Sequence, residues 1–272
     1  MLRTVVKQVA RWLGQVVREA RDEYGAARGA TDAEQAVVEP LREAGRRSRV
    51  PSWLATFRTQ IFTGLAAIGL FLFGGLTVLV SDGLTAGVDL AVTQAIQGIS
   101  AVGFGALMIA VSALGFLPQS VLLVAAIATI LWLADYRTEA GFAVVASGSS
   151  LLTEAIKAII ARPRPDADLV TVLAGASGHS FPSGHTLFYV TFFGYLAYVA
   201  YALWKPGRFR TTVLWICGAL ILLVGPSRIW MGQHWVSDVL ASYALGLTYL
   251  VILIQVYSRY RLAQPQASSA PA

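Results

Sequence analysis

The stretch Ile61–Val80 contains no charged residue and is as long as a helix needs to be to cross a bilayer core of roughly 30 Å. Further apolar stretches follow at Ser120–Ala134, Ala140–Ile160, Gly184–Trp204, Thr211–Val224 and His234–Tyr257, predicting six spans. A short turn, Asp135–Glu139, joins the second to the third. Composition agrees: 56% of the 272 residues are hydrophobic and 13% charged, against roughly 25% charged in soluble domains. The expected fold class is therefore all-α, a polytopic bundle of six transmembrane helices. Residues 88–114 are apolar but interrupted by glycine and polar side chains. They read as an interfacial or re-entrant helix, with a seventh span as the alternative.

The expected organisation is an N-terminal region 1–57, a membrane domain 58–258 and a tail 259–272. Apolar residues recur at helical spacing over 2–17 (Leu2, Val5, Val6, Val9, Trp12, Leu13, Val16, Val17), with Lys7, Arg11 and Arg18 elsewhere on the helix. Such a basic amphipathic helix suits an anionic membrane surface; packing on a partner or on the chain itself suits it equally. Residues 25–50, rich in Ala, Gly, Arg and Glu, read as a solvated link. The first long apolar stretch begins only near Ile61, so the sequence predicts no secretory leader.

The net charge of +6 is confined to the ends. Residues 1–58 hold eleven Lys/Arg against seven Asp/Glu, the tail adds Arg259 and Arg261, and the rest balances at eight against eight. No aromatic–basic interleaving accompanies the surplus, so nucleic acid is not an expected partner. The loop Lys205–Arg210 has three basic residues and no acid, which places it in the cytoplasm. With six spans both termini are then cytoplasmic, and the loops 161–183 and 225–233 face the periplasm or exterior of an inner (plasma) membrane. Cys217, the single cysteine, reads as a small apolar filler; a disulfide within the chain and a cysteine-based metal cluster are excluded.

Those two outer loops hold most of the chemistry. Lys157, Arg164 and Arg228 are cations at the outer ends of apolar helices, where a charge is costly without a counter-ion. Any one of them could snorkel to the headgroups. Three converging there call for an anion, and a phosphate matches guanidinium forks. Ser183 and Gly184 open an apolar helix whose free amides form an anion site; Ser183 can cap and bind together. His234 and Asp238, four apart, share a helix face. A carboxylate on one imidazole nitrogen fixes the tautomer and leaves the other as a nucleophile. A purely structural hydrogen bond is the alternative.

Lys157 followed after six residues by Arg164-Pro165, then Pro182-Ser183-Gly184-His185, then Ser227-Arg228 with His234 and Asp238, together resemble the three-part pattern of the type-2 phosphatidic acid phosphatase family. That family spans membrane lipid phosphatases and soluble vanadium haloperoxidases; the spans point to the former. The resemblance implies that His234 attacks phosphorus and becomes a phosphohistidine, oriented by Asp238. It implies that His185 protonates the leaving oxygen and then activates water. Lys157, Arg164, Ser183, Gly184 and Arg228 would bind the phosphoryl oxygens. No metal or other cofactor is implied. The expected substrate is a lipid phosphate or pyrophosphate such as undecaprenyl pyrophosphate, phosphatidylglycerophosphate or phosphatidate, with membrane lipids as surroundings; the pattern does not choose among them or give an oligomeric state. A lipid phosphotransferase would use the same intermediate. A transporter would place charge at the midplane of broken helices, whereas these charges gather at one end of their spans.

The neighbours read less sharply. Glu154 lies one turn before Lys157 and is placed to pair with it. His179 reads as a loop or interface histidine before a substrate contact, Asp166 and Asp168 as loop-solvating acids with headgroup contact as the alternative, and Trp230 and Trp235 as interfacial aromatics before lipid-tail contacts.

Overall fold

All regular structure among the described residues is helical. The structure, a computed structural model, describes residues 52–173 and 177–263, so the amphipathic helix expected over 2–17 lies outside them. The chain divides into two units, 1–60 and 61–272, and the helical bundle belongs to the second. In chain order the helices are α1 (Ser52–Ser81), α2 (Ala86–Gln97), α3 (Phe104–Ala113), α4 (Gln119–Leu133), α5 (Arg137–Ser147), α6 (Ser149–Ile160), α7 (Gly184–Leu203), α8 (Arg208–Trp230) and α9 (Val236–Ala263).

Among the described residues, five segments are long and apolar enough to cross a membrane: Gln60–Ser81, Arg137–Ile160, Gly184–Leu203, Arg208–Trp230 and Val236–Arg261. The remaining expected span, Ser120–Ala134, corresponds to α4, an apolar helix whose 15 residues fall short of the roughly 20 a straight crossing needs. Residues 88–114 form two short helices, α2 and α3, both packed against α8.

α7 is the axis of the bundle and contacts α5, α6, α8 and α9. Its Phe188, Tyr189, Phe192, Tyr195 and Val199 are buried with Ala140, Ala143 and Ala146 of α5, Val224 of α8, and Leu253 and Tyr257 of α9. Alanine rows and close glycine contacts allow this approach: a Cβ on Gly194 would stand 2.5 Å from Leu250. Around this core the surface is apolar. Phe71 is 79% exposed and Leu133 77%, as expected where the surrounding solvent is lipid.

Two helix details depart from the sequence expectation. The third span is broken at Gly148, where the Tyr249 hydroxyl donates to the Val145 carbonyl at 2.7 Å and Ser149 Oγ meets Thr191 Oγ1 at 2.8 Å. These bonds satisfy backbone and hydroxyl groups that lipid could not. The fifth span does not end at Val224 but runs through Pro226 to Trp230. Proline removes the amide that would reach the carbonyl of Leu222. The Tyr243 hydroxyl lies 2.6 Å from the Ile221 carbonyl and 3.4 Å from that of Leu222, and accepts from the Gly225 amide at 3.3 Å, so the helix continues. Arg228 is consequently a helix residue rather than a loop residue.

Candidate active site

Helix starts, helix ends and two loops converge at one end of the bundle. Lys157 stands in the last turn of α6 and pairs with Glu154 at 2.8 Å, the carboxylate being 71% exposed. Its Nζ lies 3.9 Å from where a Gly184 Cβ would be, so the ammonium sits over the glycine that opens α7. Ser183 caps that helix: its hydroxyl accepts from the Thr186 amide at 3.5 Å and the Thr186 hydroxyl at 3.1 Å. Its own amide donates to Ser242 Oγ at 2.7 Å, tying the start of α7 to α9.

Arg164 is fixed by carbonyls: its guanidinium donates to Gln233 at 2.7 Å, Gly178 at 3.2 Å and Ser177 at 3.3 Å. Burial lowers its pKa, and the charges of Asp238 and Glu154 oppose the shift. Arg228 is 2% exposed. It donates to Ser112 at 2.5 Å and to Gln233 Oε1 at 3.2 Å, and its guanidinium lies 5.0 Å from the ring centroid of Phe116. Gln233 thus holds one arginine with its backbone and the other with its side chain. Phe116 also meets His185 edge-on at 4.6 Å. Arg228 Nε and His185 Nε2 are buried polar atoms without a hydrogen-bond partner among the described residues.

His234 precedes α9 and is 2% exposed. Its Nδ1 lies 2.8 Å from the carbonyl oxygen of Ser180 and 3.6 Å from Asp238 Oδ2. A carbonyl only accepts, so Nδ1 carries the hydrogen and Nε2 the lone pair. The tautomer is therefore held first by a backbone carbonyl, with the carboxylate as a nearby charge. Burial drives the His234 pKa down to about 4; Asp238 pulls it up, while Arg228 and Arg164 push it further down. At neutral pH the imidazole is uncharged. Asp238 is fully buried and accepts from the Trp235 amide at 2.9 Å and from Arg162 at 2.5 Å.

Sequence reasoning missed Arg162, Ser180, Gln233, Phe116 and Asp89. The repeated Arg-Pro of 162–165 and the lone acid at 89 were available signals; the Ser180 carbonyl had none. His179 is exposed, and Asp166 accepts from the Asp168 amide at 3.1 Å within its own loop. Trp230 stacks edge-on with Phe104 at 6.1 Å and Trp235 lies under Arg162 at 5.9 Å, so both have internal partners.

Residues 138–262, which contain every one of these motif residues, match the model of the PAP2 superfamily. The chain carries a PAP2 superfamily domain. Within PAP2 proteins it is similar to phosphatidylglycerophosphatase B of Bacillus subtilis, 37% identical over 98 residues, covering 36% of this chain and 47% of that one. It is also similar to a lipid A 1-phosphatase of Rhizobium johnstonii, 36% identical over 125 residues, covering 43% and 46% of the two. The chain thus spans about half the length of the curated relatives it matches. The crystal structure of a transmembrane PAP2-type phosphatidylglycerolphosphate phosphatase from Bacillus subtilis shares the fold, with a TM-score of 0.65 and 24% identity over 73% of this chain and 98% of that one.

Proposed function

We propose that this chain is an integral membrane phosphatase that hydrolyses a lipid phosphate or pyrophosphate through a phosphohistidine on His234. The observation that carries the reading is the state of His234: buried, its Nδ1 on the Ser180 carbonyl so that Nε2 keeps the lone pair, and its ring in the field of Arg228 and Arg164.

His234 Nε2 attacks phosphorus, the bond to the leaving oxygen breaks, and His185 gives that oxygen a proton, one that the negative charge of the bound phosphate draws onto the imidazole. His185, now neutral, takes a proton from water as the water attacks the phosphohistidine and the P–N bond breaks. Arg164, Arg228, Lys157, Ser183 and the Gly184 amide hold the three peripheral oxygens as their charge grows. Asp238 stabilises the positive charge that develops on the His234 ring.

The similar PAP2 proteins named as phosphatidylglycerophosphatase and lipid A 1-phosphatase support a lipid substrate, and so does a site at helix ends where headgroups lie. Undecaprenyl pyrophosphate, phosphatidylglycerophosphate and phosphatidate are the candidates. The basic loop 205–210 stands at the opposite ends of α7 and α8 from the site, which supports cytoplasmic termini and a site facing the periplasm or exterior of the plasma membrane. The test is release of inorganic phosphate from a panel of these lipids by detergent-purified protein. Wild type should release phosphate from at least one, and His234→Ala from none. Full activity in His234→Ala would overturn the assignment, and transfer to a second lipid without phosphate release would replace hydrolase by phosphotransferase.

A further inference from the structure

Arg162 has no part in that mechanism, yet it is the most heavily bonded cation at the site. One amino group lies 2.5 Å from Asp238 Oδ1 and 2.7 Å from Ser237 Oγ. The other lies 2.7 Å from Asp89 Oδ2 and 3.1 Å from Thr85 Oγ1. Asp89 is 2% exposed and also accepts from the Ser237 amide at 2.8 Å and the Ser237 hydroxyl at 2.7 Å. Two buried carboxylates, one on α2 and one on α9, therefore share a single guanidinium fork. Such an arrangement persists only where each oxygen is hydrogen-bonded and the geometry is fixed.

The cluster ends at the nucleophile. Asp238 uses Oδ1 on Arg162, while Oδ2 faces the Trp235 amide and His234 Nδ1. The groups facing His234 are Asp238 of α9, Arg228 of α8, Arg164 and the Ser180 carbonyl of the loop, and His185 of α7. Among these Asp238 is the one anion, and Arg162 decides how much of that anion His234 feels. Resting on the proposed phosphohistidine mechanism, we propose that Asp89 and Arg162 are positioning residues: through Asp238 they set the orientation and charge of His234, making α2 a support of the active site although it lies outside the three-part motif.

The two ends of the cluster should act in opposite directions. Arg162→Gln frees Asp238 to bond His234 Nδ1, so the acid limb of kcat/KM should move to higher pH. Asp89→Asn leaves Arg162 to Asp238 alone, so the limb should move to lower pH. Supporting partners of this kind are worth ~10–100-fold in activity, and kcat should fall by that order in Arg162→Gln with KM within about twofold. Because Arg162→Gln leaves two carboxylates facing each other, the double variant Arg162→Gln/Asp89→Asn, which keeps the net charge of the cluster, is measured beside it and should show the same upward move. Rates are taken per folded protein in the monodisperse gel-filtration peak. Unchanged limbs with wild-type kcat, or activity lost only in proportion to folded protein, would overturn the inference. That failure is distinct from failure of the proposed function, which shows as activity in His234→Ala.

Discussion

Gly115 is the position where the smallest chemical change should do the most to activity. It lies in the turn between α3 and α4, far in sequence from the three motifs. A Cβ there would stand 2.9 Å from His185 Cγ and 3.0 Å from Nε2, and nearer still to Cδ2. Carbon atoms pack at about 3.5–4.0 Å, so the imidazole must retreat by about 1 Å. Phe116 meets the same ring at a centroid distance of 4.6 Å and further restricts where it can move. A misplacement of about 1 Å in a reacting group can cost ~100-fold in rate, about 2.7 kcal/mol of barrier. Gly115→Ala should therefore lower kcat for phosphate release by ~100-fold. KM should change little, because Lys157, Arg164 and Arg228 are untouched. Gly115 does not have a positive φ, so alanine brings no backbone strain and the clash is the whole effect. Gly74→Ala is the control, since a Cβ there meets nothing within 4 Å. A Gly115→Ala protein that elutes as wild type and keeps kcat within twofold would refute the idea that His185 acts from its present position.

Two further perturbations test the site and its scaffold. With the His234 pKa lowered to about 4, the neutral nucleophile should persist well below the usual histidine range, and kcat/KM, corrected for the substrate's own ionisation, should fall only as pH drops toward 4. The same shift makes the folded state bind its proton less readily than the unfolded chain, whose histidine titrates near 6.5. Stability from this group is thus full above that value and declines as pH falls through the window to about 4, by on the order of 3 kcal/mol, which a melting series of wild type against His234→Gln would read. In the scaffold, Gly225→Ala puts a Cβ 2.7 Å from Val239 and 2.8 Å from the Tyr243 hydroxyl that carries α8 past Pro226, and overpacking there should cost ~1–3 kcal/mol in thermal stability, with Gly218→Ala, which meets open space, near wild type.

What could be read from the sequence divides along a physical line. The spans were legible because apolar length is a property of one segment, and the motif cations because a charge at the end of an apolar helix demands a counter-ion whatever the fold. The passage of α8 through Pro226 was not, since the hydroxyl that makes it possible belongs to Tyr243 on the next helix. Nor was the Ser180 carbonyl on His234, because every residue has a carbonyl and only the fold selects one. α4 was legible as an apolar helix but its 15 residues blurred the count of spans.

The least legible feature was the one with the largest electrostatic consequence. Between residues 59 and 258 acids and bases balance at eight each, which gives no hint of a charged site. The fold breaks that balance by unequal pairing. Asp89 and Asp238 both go to Arg162, Glu154 goes to Lys157, and Glu139 lies 3.4 Å from Arg261 at the other end of the bundle. Two carboxylates on one arginine leave fewer for the rest. Arg164 is left with carbonyls and Arg228 with a serine, a glutamine and an aromatic face, neither within ion-pair distance of a carboxylate among the described residues. A buried guanidinium bonded only to neutral groups keeps its charge for an incoming anion. The double use of Arg162 therefore does two jobs at once: it sets how much of the Asp238 charge reaches His234, and it keeps acids away from the arginines where a phosphoryl group would bind.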